Sequence, residues 1–370
     1  MKISQEKLTA EAEVTGFRPD VLEKVAHLLG LLEALGSHPF LKGKLALKGG
    51  TALNLFVFDV PRLSVDIDLN YVGAEDRESM LAERPKIEQA AQAVFAREGF
   101  TVRRMPDEHA GGKWSLRYQS AAGLGGNLEV DLNFMFRVPL WPVTMSDSHP
   151  VGTWRATGIP VIDIHELAAG KLAALLARRQ ARDLFDSHGI LQMGNLDLAR
   201  LRTAFVVYGA MNRKDWRTVS TDDVDFDTAE LGRQLIPTLR VNPYTGQETS
   251  TEYGTRLVEE CRQWLSVVLP FTEAEREFLD LLLDRGEIDS TILTADPALQ
   301  KRIQAQPLLE WKAINVKKHR GLGGWYGHQR LSPKKRRETR NSVTEPEEVR
   351  NCVSEETKKP LAVTDRPAKL

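Results

Sequence analysis

Cysteine is almost missing from this 370-residue chain, which carries only Cys261 and Cys352. Two thiols exclude a disulfide framework and a zinc site built on three or four cysteines. Neither thiol stands in a recognisable nucleophile context. No apolar run approaches the ~20 residues that a membrane span needs. The opening stretch, Met1 to Gly16, is polar with scattered acids and has no apolar segment of the secretion-signal kind. These absences predict a cytoplasmic protein with no membrane partner. Surplus charge is missing too. The formal net charge is −1, so the chain as a whole is no polyelectrolyte. The eight histidines show no metal-ligand spacing with one another.

The ordinary components of a globular protein are all present. Hydrophobic residues make up 42% and charged residues 27%, a balance that supports two domains with substantial cores. The charge is unevenly placed. Between Lys317 and Arg340 stand nine Lys/Arg and one acid, Glu338. That stretch suits nucleic-acid contact or a solvated tail. The sequence beyond Ser332 is rich in Lys, Glu, Thr and Pro and cannot bury enough surface to fold alone. Residues 317–370 are therefore expected to form a basic, disordered tail.

Periodicity organises the rest. Val21, Leu22, Val25, Leu28, Leu29 and Leu32 give an amphipathic helix over 20–36. A short buried strand follows at Leu45–Lys48, then a Gly49-Gly50 turn and a helix from Thr51 to Phe58. Ser64–Tyr71 reads as a strand. A helix is expected at about 85–98, with Pro85 in its first turn and Gly99 at its stop. Three strands follow: Phe100–Met105, Lys113–Gln119 and Leu128–Phe136. In the last, Val130, Leu132 and Phe134 take one face, and Glu129, Asp131 and Asn133 the other. From Asp163 the spacing is almost wholly helical, over 163–188, 196–209, 226–238, 252–269 and 272–284. The predicted architecture is α+β, with a core over 1–162 and a helical domain over 163–316.

Two constellations carry chemistry. Asp66 and Asp68 are two apart on a predicted strand, so both carboxylates point to one side. They repel unless a cation or proton is shared, and hard oxygen donors at that spacing suit Mg²⁺. Alone, Asp-x-Asp also describes exposed acids near a turn. Upstream, however, stands Lys48-Gly49-Gly50-Thr51, a bare-backbone turn into a helix that can cradle phosphate. Thr51 suits the helix N-cap, and its hydroxyl suits phosphate as well. Lys48 fits either a phosphate contact or a snorkelling strand end. A third acid is needed, and Asp131 is the candidate, brought alongside by antiparallel pairing of neighbouring strands. Two Mg²⁺ held there would activate a hydroxyl and stabilise a leaving pyrophosphate.

The second constellation is helical. At 100° per residue, Lys171, Arg178, Arg182 and Asp186 share one stripe if the helix is continuous. Clustered cations want something anionic opposite, and a triphosphate would serve, with Asp186 anchoring Arg182. A solvated basic face would carry the same pattern. Asp183 points away from the stripe and would pair with Arg179.

These residues resemble a known family. Lys48-Gly49-Gly50-Thr51-Ala52-Leu53 with Arg62-x-Ser64-x-Asp66-Ile67-Asp68 looks like the first motif of the AbiEii/AbiGii-type nucleotidyltransferase toxins of type IV toxin–antitoxin and abortive-infection systems. Leu128-Glu129-Val130-Asp131 looks like their second motif. Lys171, Arg178, Arg182-Asp183 and Asp186 look like their third. The resemblance spans roughly residues 20–300. It implies a polymerase-β-like nucleotidyltransferase core followed by a helical domain, with Mg²⁺, a nucleoside triphosphate and a tRNA 3′ end as acceptor. It also implies a winged-helix antitoxin, encoded nearby, that need not touch the toxin. Gly49, Gly50 and Thr51 would hold the triphosphate. Asp66, Asp68 and Asp131 would bind metal. Lys171 would contact phosphate, Asp186 would support or join the catalytic set, and Arg178 and Arg182 would be secondary contacts. Two alternatives carry other markers: transfer to a small molecule or protein, or nucleotide or RNA binding without turnover.

Overall fold

The computed structural model describes residues 3–104, 111–240 and 249–320. Of the basic tail, only Lys317–Arg320 fall among them, and Lys317 to His319 close a regular helix. The rest of the tail expectation lies outside the described residues.

Two helices lead in: α1 (Gln5–Thr15) and α2 (Pro19–Ser37). In α2 the predicted apolar face is the buried one, with Leu22, Val25, Leu28, Leu29 and Leu32 all in the core. Strand β1 (Leu45–Lys48) runs into the short helix α3 (Gly49–Ala52), which widens into a π-turn over Leu53–Val57. The cap of α3 is Lys48, not Thr51. Strand β2 (Asp66–Tyr71) follows, then α4 (Arg77–Arg97).

Helix α4 begins eight residues before the expected start and carries Pro85 inside it. Asp76 caps it by accepting from the Ser79 N–H at 2.8 Å. Met80, on the N-terminal side of the proline, and Ile87, Ala91, Val94 and Phe95 beyond it all reach the core. Burial on both sides of Pro85 outweighs the roughly 3 kcal/mol an internal proline costs.

Strands β3 (Thr101–Arg104), β4 (Gly111–Gln119), β5 (Gly125–Asn133), β6 (Thr144–Ser146) and β7 (Ile159–Val161) complete a mixed sheet. Its order is β3-β4-β5-β2-β1-β7-β6. The β1–β2 pair is antiparallel, with Lys48 opposite Asp68. The β2–β5 pair is parallel, not antiparallel as expected, with Asp68 opposite Asp131 and Asn70 opposite Asn133. Antiparallel β4 lies outside β5, so the neighbour in sequence and the neighbour beside the acids are different strands.

All helices and turns after β7 belong to the C-terminal helical region: α5 (Ile164–Ala177), α6 (Ala181–Gln192), α7 (Leu198–Ala210), α8 (Thr228–Glu230), α9 (Ser250–Trp264), α10 (Glu273–Asp280), α11 (Pro297–Gln304) and α12 (Pro307–His319). The helix expected over 163–188 is two helices. Arg178 ends α5 in an extended conformation (φ −149°, ψ 146°), and Gln180 caps α6. One hydrophobic core runs from Leu8 in α1 to Ala313 in α12, so the sheet and the helical region share it. Among the described residues, no helix is long and apolar enough to cross a membrane.

Candidate active site

Strand β2 alternates as predicted and sets Asp66, Asp68 and Asn70 on one face, with Ile67 and Leu69 in the core. The Gly49-Gly50 turn is pressed against that face. Gly49 has φ +74°, and a Cβ there would lie 2.2 Å from Asp68 Oδ2. Only glycine fits without displacing the carboxylate. At Gly50 a Cβ would come 2.9 Å from Arg62 Nη2 and 3.0 Å from Ser64 Oγ. Thr51 is fully buried, and its hydroxyl donates to the Asp66 carbonyl oxygen. It ties the turn to β2.

Burial raises the Asp66 carboxyl above the usual range and Asp68 adds to this, with Arg182 opposing. Burial also raises Asp68, against the pull of Lys48, and Asp131 raises it further. Arg182 Nη1 lies 3.6 Å from Asp66 Oδ2. The helix-turn pair expected between Arg182 and Asp186 is not made. Lys113, opposite Asp131 on β4, bonds Glu129 at 3.2 Å.

Below the glycine turn lies a buried ion network that the sequence did not reveal. Arg62 grips Asp186 with two hydrogen bonds, Nε to Oδ1 at 2.7 Å and Nη2 to Oδ2 at 2.6 Å. Both side chains are at most 2% exposed. Asn54 Nδ2 donates to Asp186 Oδ1 and to the Gly50 carbonyl, each at 2.9 Å. Lys171 Nζ sits between Asp183 at 2.9 Å and Asp186 at 3.0 Å. Arg178, released by the break after α5, folds back on Asp183, with Nε to Oδ2 at 2.6 Å. Asp183 is therefore buried at the centre, not turned away, and Arg179 pairs with Asp225 instead at 3.1 Å. The break also means that no single helical stripe carries Lys171, Arg178, Arg182 and Asp186. Tertiary packing brings them together.

Beside this network opens a cleft of about 540 Å³, within the range of small-molecule sites. Lys48, Gly49, Gly50, Asp68, Lys171 and Arg178 line it, together with Asn70, Phe136, Ile162, Glu166, Gly170 and Tyr208. Phe136 and Tyr208 stack with ring centroids 5.6 Å apart, and Lys48 Nζ lies 5.0 Å from the Phe136 ring. Burial pushes the Glu166 carboxyl up to about 7, against the backbone N–H groups of Leu140 and Trp141 and the Tyr208 hydroxyl that bond it. One further signal was available in the sequence: alternation from Asp68 puts Asn70 on the same face.

The oxygen-only donors of Asp66, Asp68 and Asp131 suit a hard divalent cation, and the raised Asp66 and Asp68 carboxyls are ones a cation would relieve. Among the described residues, no three His, Cys, Asp or Glu side chains are placed so that they could together hold a metal ion.

A family model described as the nucleotidyl transferase AbiEii toxin of type IV toxin–antitoxin systems matches residues 30–250. No curated protein sequence matches the chain. Among solved structures, the nucleotidyltransferase toxin MenT4 from Mycobacterium tuberculosis H37Rv is similar, with 15% identity and a TM-score of 0.50. The match covers 85% of this chain and 99% of that one, and it shows a shared fold.

Proposed function

The chain belongs to the AbiEii nucleotidyltransferase toxin family of type IV toxin–antitoxin systems, and from the geometry of its cleft we propose a Mg²⁺-dependent transfer of a nucleotide to the 3′ end of tRNA. The observation that carries this reading is the juxtaposition of the Gly49-Gly50 turn with Asp68, Lys171 and Arg178 on one cleft. Backbone N–H groups and cations are what a triphosphate requires. An acidic edge beside them is what phosphoryl-transfer chemistry requires.

Asp66, Asp68 and Asp131 would hold the metal, two ions in this reading, which would supply positive charge against the transferring phosphate. The acceptor's terminal hydroxyl oxygen bonds to the α-phosphorus, the bond from that phosphorus to the bridging oxygen breaks, and pyrophosphate departs. The hydroxyl proton passes to the acidic edge. Gly49 and Gly50 present the turn to the triphosphate. Lys171, fixed by Asp183 and Asp186, and Arg178 line the same cleft and would contact the phosphates. Most of the acceleration comes from positioning and fixed charge. Such an enzyme works in the cytoplasm, where nucleotides and tRNA are, and its antitoxin would be a winged-helix repressor encoded nearby.

The test is incubation of the protein with each α-labelled nucleoside triphosphate, Mg²⁺ and total cellular RNA. Label should enter the tRNA fraction, and Asp68→Asn should abolish it without loss of fold. Wild-type transfer by purified Asp68→Asn would overturn the assignment of the acids. Label entering a small molecule or a protein would overturn the RNA acceptor.

A further inference from the structure

Among the described residues, Asp68 alone of the three acids lines the cleft, and no residue of β4 or β5 does. The acids therefore stand at a border. On one side is the cleft, with walls from β1, α3, α5 and α7. On the other side, in the order of the sheet, come β5, β4 and the edge strand β3. A nucleotide in the cleft occupies the first side, so an acceptor has to reach the acids across the second. In-line displacement makes the same demand, because the attacking and leaving oxygens lie on opposite sides of the phosphorus.

That second side is open. Trp114, Leu116 and Tyr118 of β4 turn inward and are buried, and α4 packs against them, with the Phe95 and Trp114 ring centroids 5.9 Å apart. The alternate residues face the other way. Lys113, Arg117, Asn127 and Glu129 are exposed there and Ser115 is half-buried. The register fixes their order. Lys113 stands opposite Asp131, Ser115 opposite Glu129 and Arg117 opposite Asn127. Thr101 of β3 stands opposite Arg117. Lys113 and Arg117 are four residues apart, about 13 Å along the strand. The Arg117 guanidinium lies over Gly125 of β5, where a Cβ would run into it. Glu129 bonds Lys113 close to the acids. Leading away from them, Ser115, Arg117, Asn127 and Thr101 are two hydroxyls, a cation and an amide. These are the side chains that bind nucleic-acid phosphates and sugars.

We propose that the open face of β4 and β5 carries the RNA acceptor, with its 3′ end at the acids and its backbone phosphates running from Lys113 toward Arg117. This rests on the RNA-acceptor reading above and adds the surface on which the acceptor lies. Contacts of this kind position a strand without reading its sequence, which suits an enzyme that acts on a terminus. Their free energy comes largely from released counterions, so it weakens steeply with salt.

The experiment measures binding of purified tRNA and of inorganic tripolyphosphate over a range of salt concentrations. The proteins are wild type, Arg117→Ala, Lys113→Ala, their double variant and Lys7→Ala, which removes an exposed cation of α1. Arg117→Ala and Lys113→Ala should each weaken tRNA binding about 5-fold and make the slope of log affinity against log salt shallower by about 0.7–0.9. Tripolyphosphate binding, and the Lys7→Ala variant throughout, should stay at wild-type values. Wild-type tRNA affinity and salt slope in the double variant overturn the proposal, and label still entering tRNA then leaves the RNA acceptor standing. An equal loss in Lys7→Ala also overturns it, because net charge then explains the effect. A parallel loss of tripolyphosphate binding overturns it too, because the two residues then act on the cleft. Wild type that neither binds tRNA nor labels any RNA overturns both this surface and the RNA-acceptor reading.

Discussion

Asp186→Asn should be among the most costly single changes of one atom type in this protein, and the reason can be worked through the network. The carboxylate is 0% exposed and takes bonds from Arg62, Asn54 and Lys171. Asparagine keeps the shape and one acceptor oxygen. Its new amide N–H₂ takes the place of Oδ2, facing Arg62 Nη2 and Lys171 Nζ, so donors meet donors. Arg62 loses its counter-charge, and Lys171 keeps only Asp183, which already serves Arg178. Removing one partner of a buried pair typically costs about 3–5 kcal/mol. At roughly 2 °C per kcal/mol for a chain of this size, melting should fall by about 6–10 °C. The paired control is Asp20→Asn. Its pair with Arg18 is more than half exposed on both sides, so the change should stay within about 0.5 kcal/mol. Arg62→Met combined with Asp186→Leu should recover much of the loss, since Lys171 still has Asp183. The pH dependence has a definite sign. Burial alone would raise the Asp186 carboxyl, but Arg62 and Lys171 outweigh it and hold it far below the usual range. Its stabilisation is therefore complete above about pH 4 and is lost as pH falls through the folded value. Scanning calorimetry or urea unfolding of wild type, both Asn variants and the double variant checks the set. Asp186→Asn melting within about 1 °C of wild type would refute the network argument.

Other expectations are more local. Gly49→Ala and Gly43→Ala both put a side chain at φ +74°, but only at Gly49 does the new Cβ meet an atom, 2.2 Å from Asp68 Oδ2. Each should lose about 1 kcal/mol to backbone strain, whereas only Gly49→Ala should lose labelled-nucleotide transfer; transfer retained by Gly49→Ala removes the steric argument. Asp68→Asn should melt at or above the wild-type temperature near neutral pH, because burial, and Asp131 beside it, disfavour the charge that the substitution removes; marked destabilisation would show that the carboxylate is structural. Burial lowers His27 to about 4, so it stays neutral in the fold while the unfolded chain takes up a proton near pH 6.5. Stability should therefore fall as pH drops from about 6.5 to about 4, and His27→Phe should flatten that limb of the unfolding-versus-pH curve.

What was legible in the sequence is what depends on neighbours in the chain. The Gly49-Gly50 turn, the shared face of Asp66 and Asp68, and the buried stripe of α2 all follow from a period of two or of 3.6 residues. The errors have one physical origin, in that the deciding partner is remote. Apolar spacing continues across Arg178, so no local pattern marks the break there; the break serves Asp183, which draws Arg178 back while holding Lys171. Strand direction beside the acids is set by an outer strand, β4, lying between β5 and the sheet edge. Arg62 stood in full view within the first motif, yet its partner lies 124 residues away. This changes how the cationic cluster is to be understood. Arg62, Lys171 and Arg178 face Asp183 and Asp186, so three positive charges meet two negative ones and a surplus of one remains. The Arg178 side chain is 54% exposed, whereas Lys171 is 11% and Arg62 2% exposed. The surplus is thus most available at Arg178, at the wall of the cleft that Lys48 and the exposed Arg213 also line. A triphosphate entering the cleft would meet Arg178, Lys48 and Arg213 rather than the four-residue helical ridge. The buried pair beneath serves to keep the glycine turn and α5 in register with the acids.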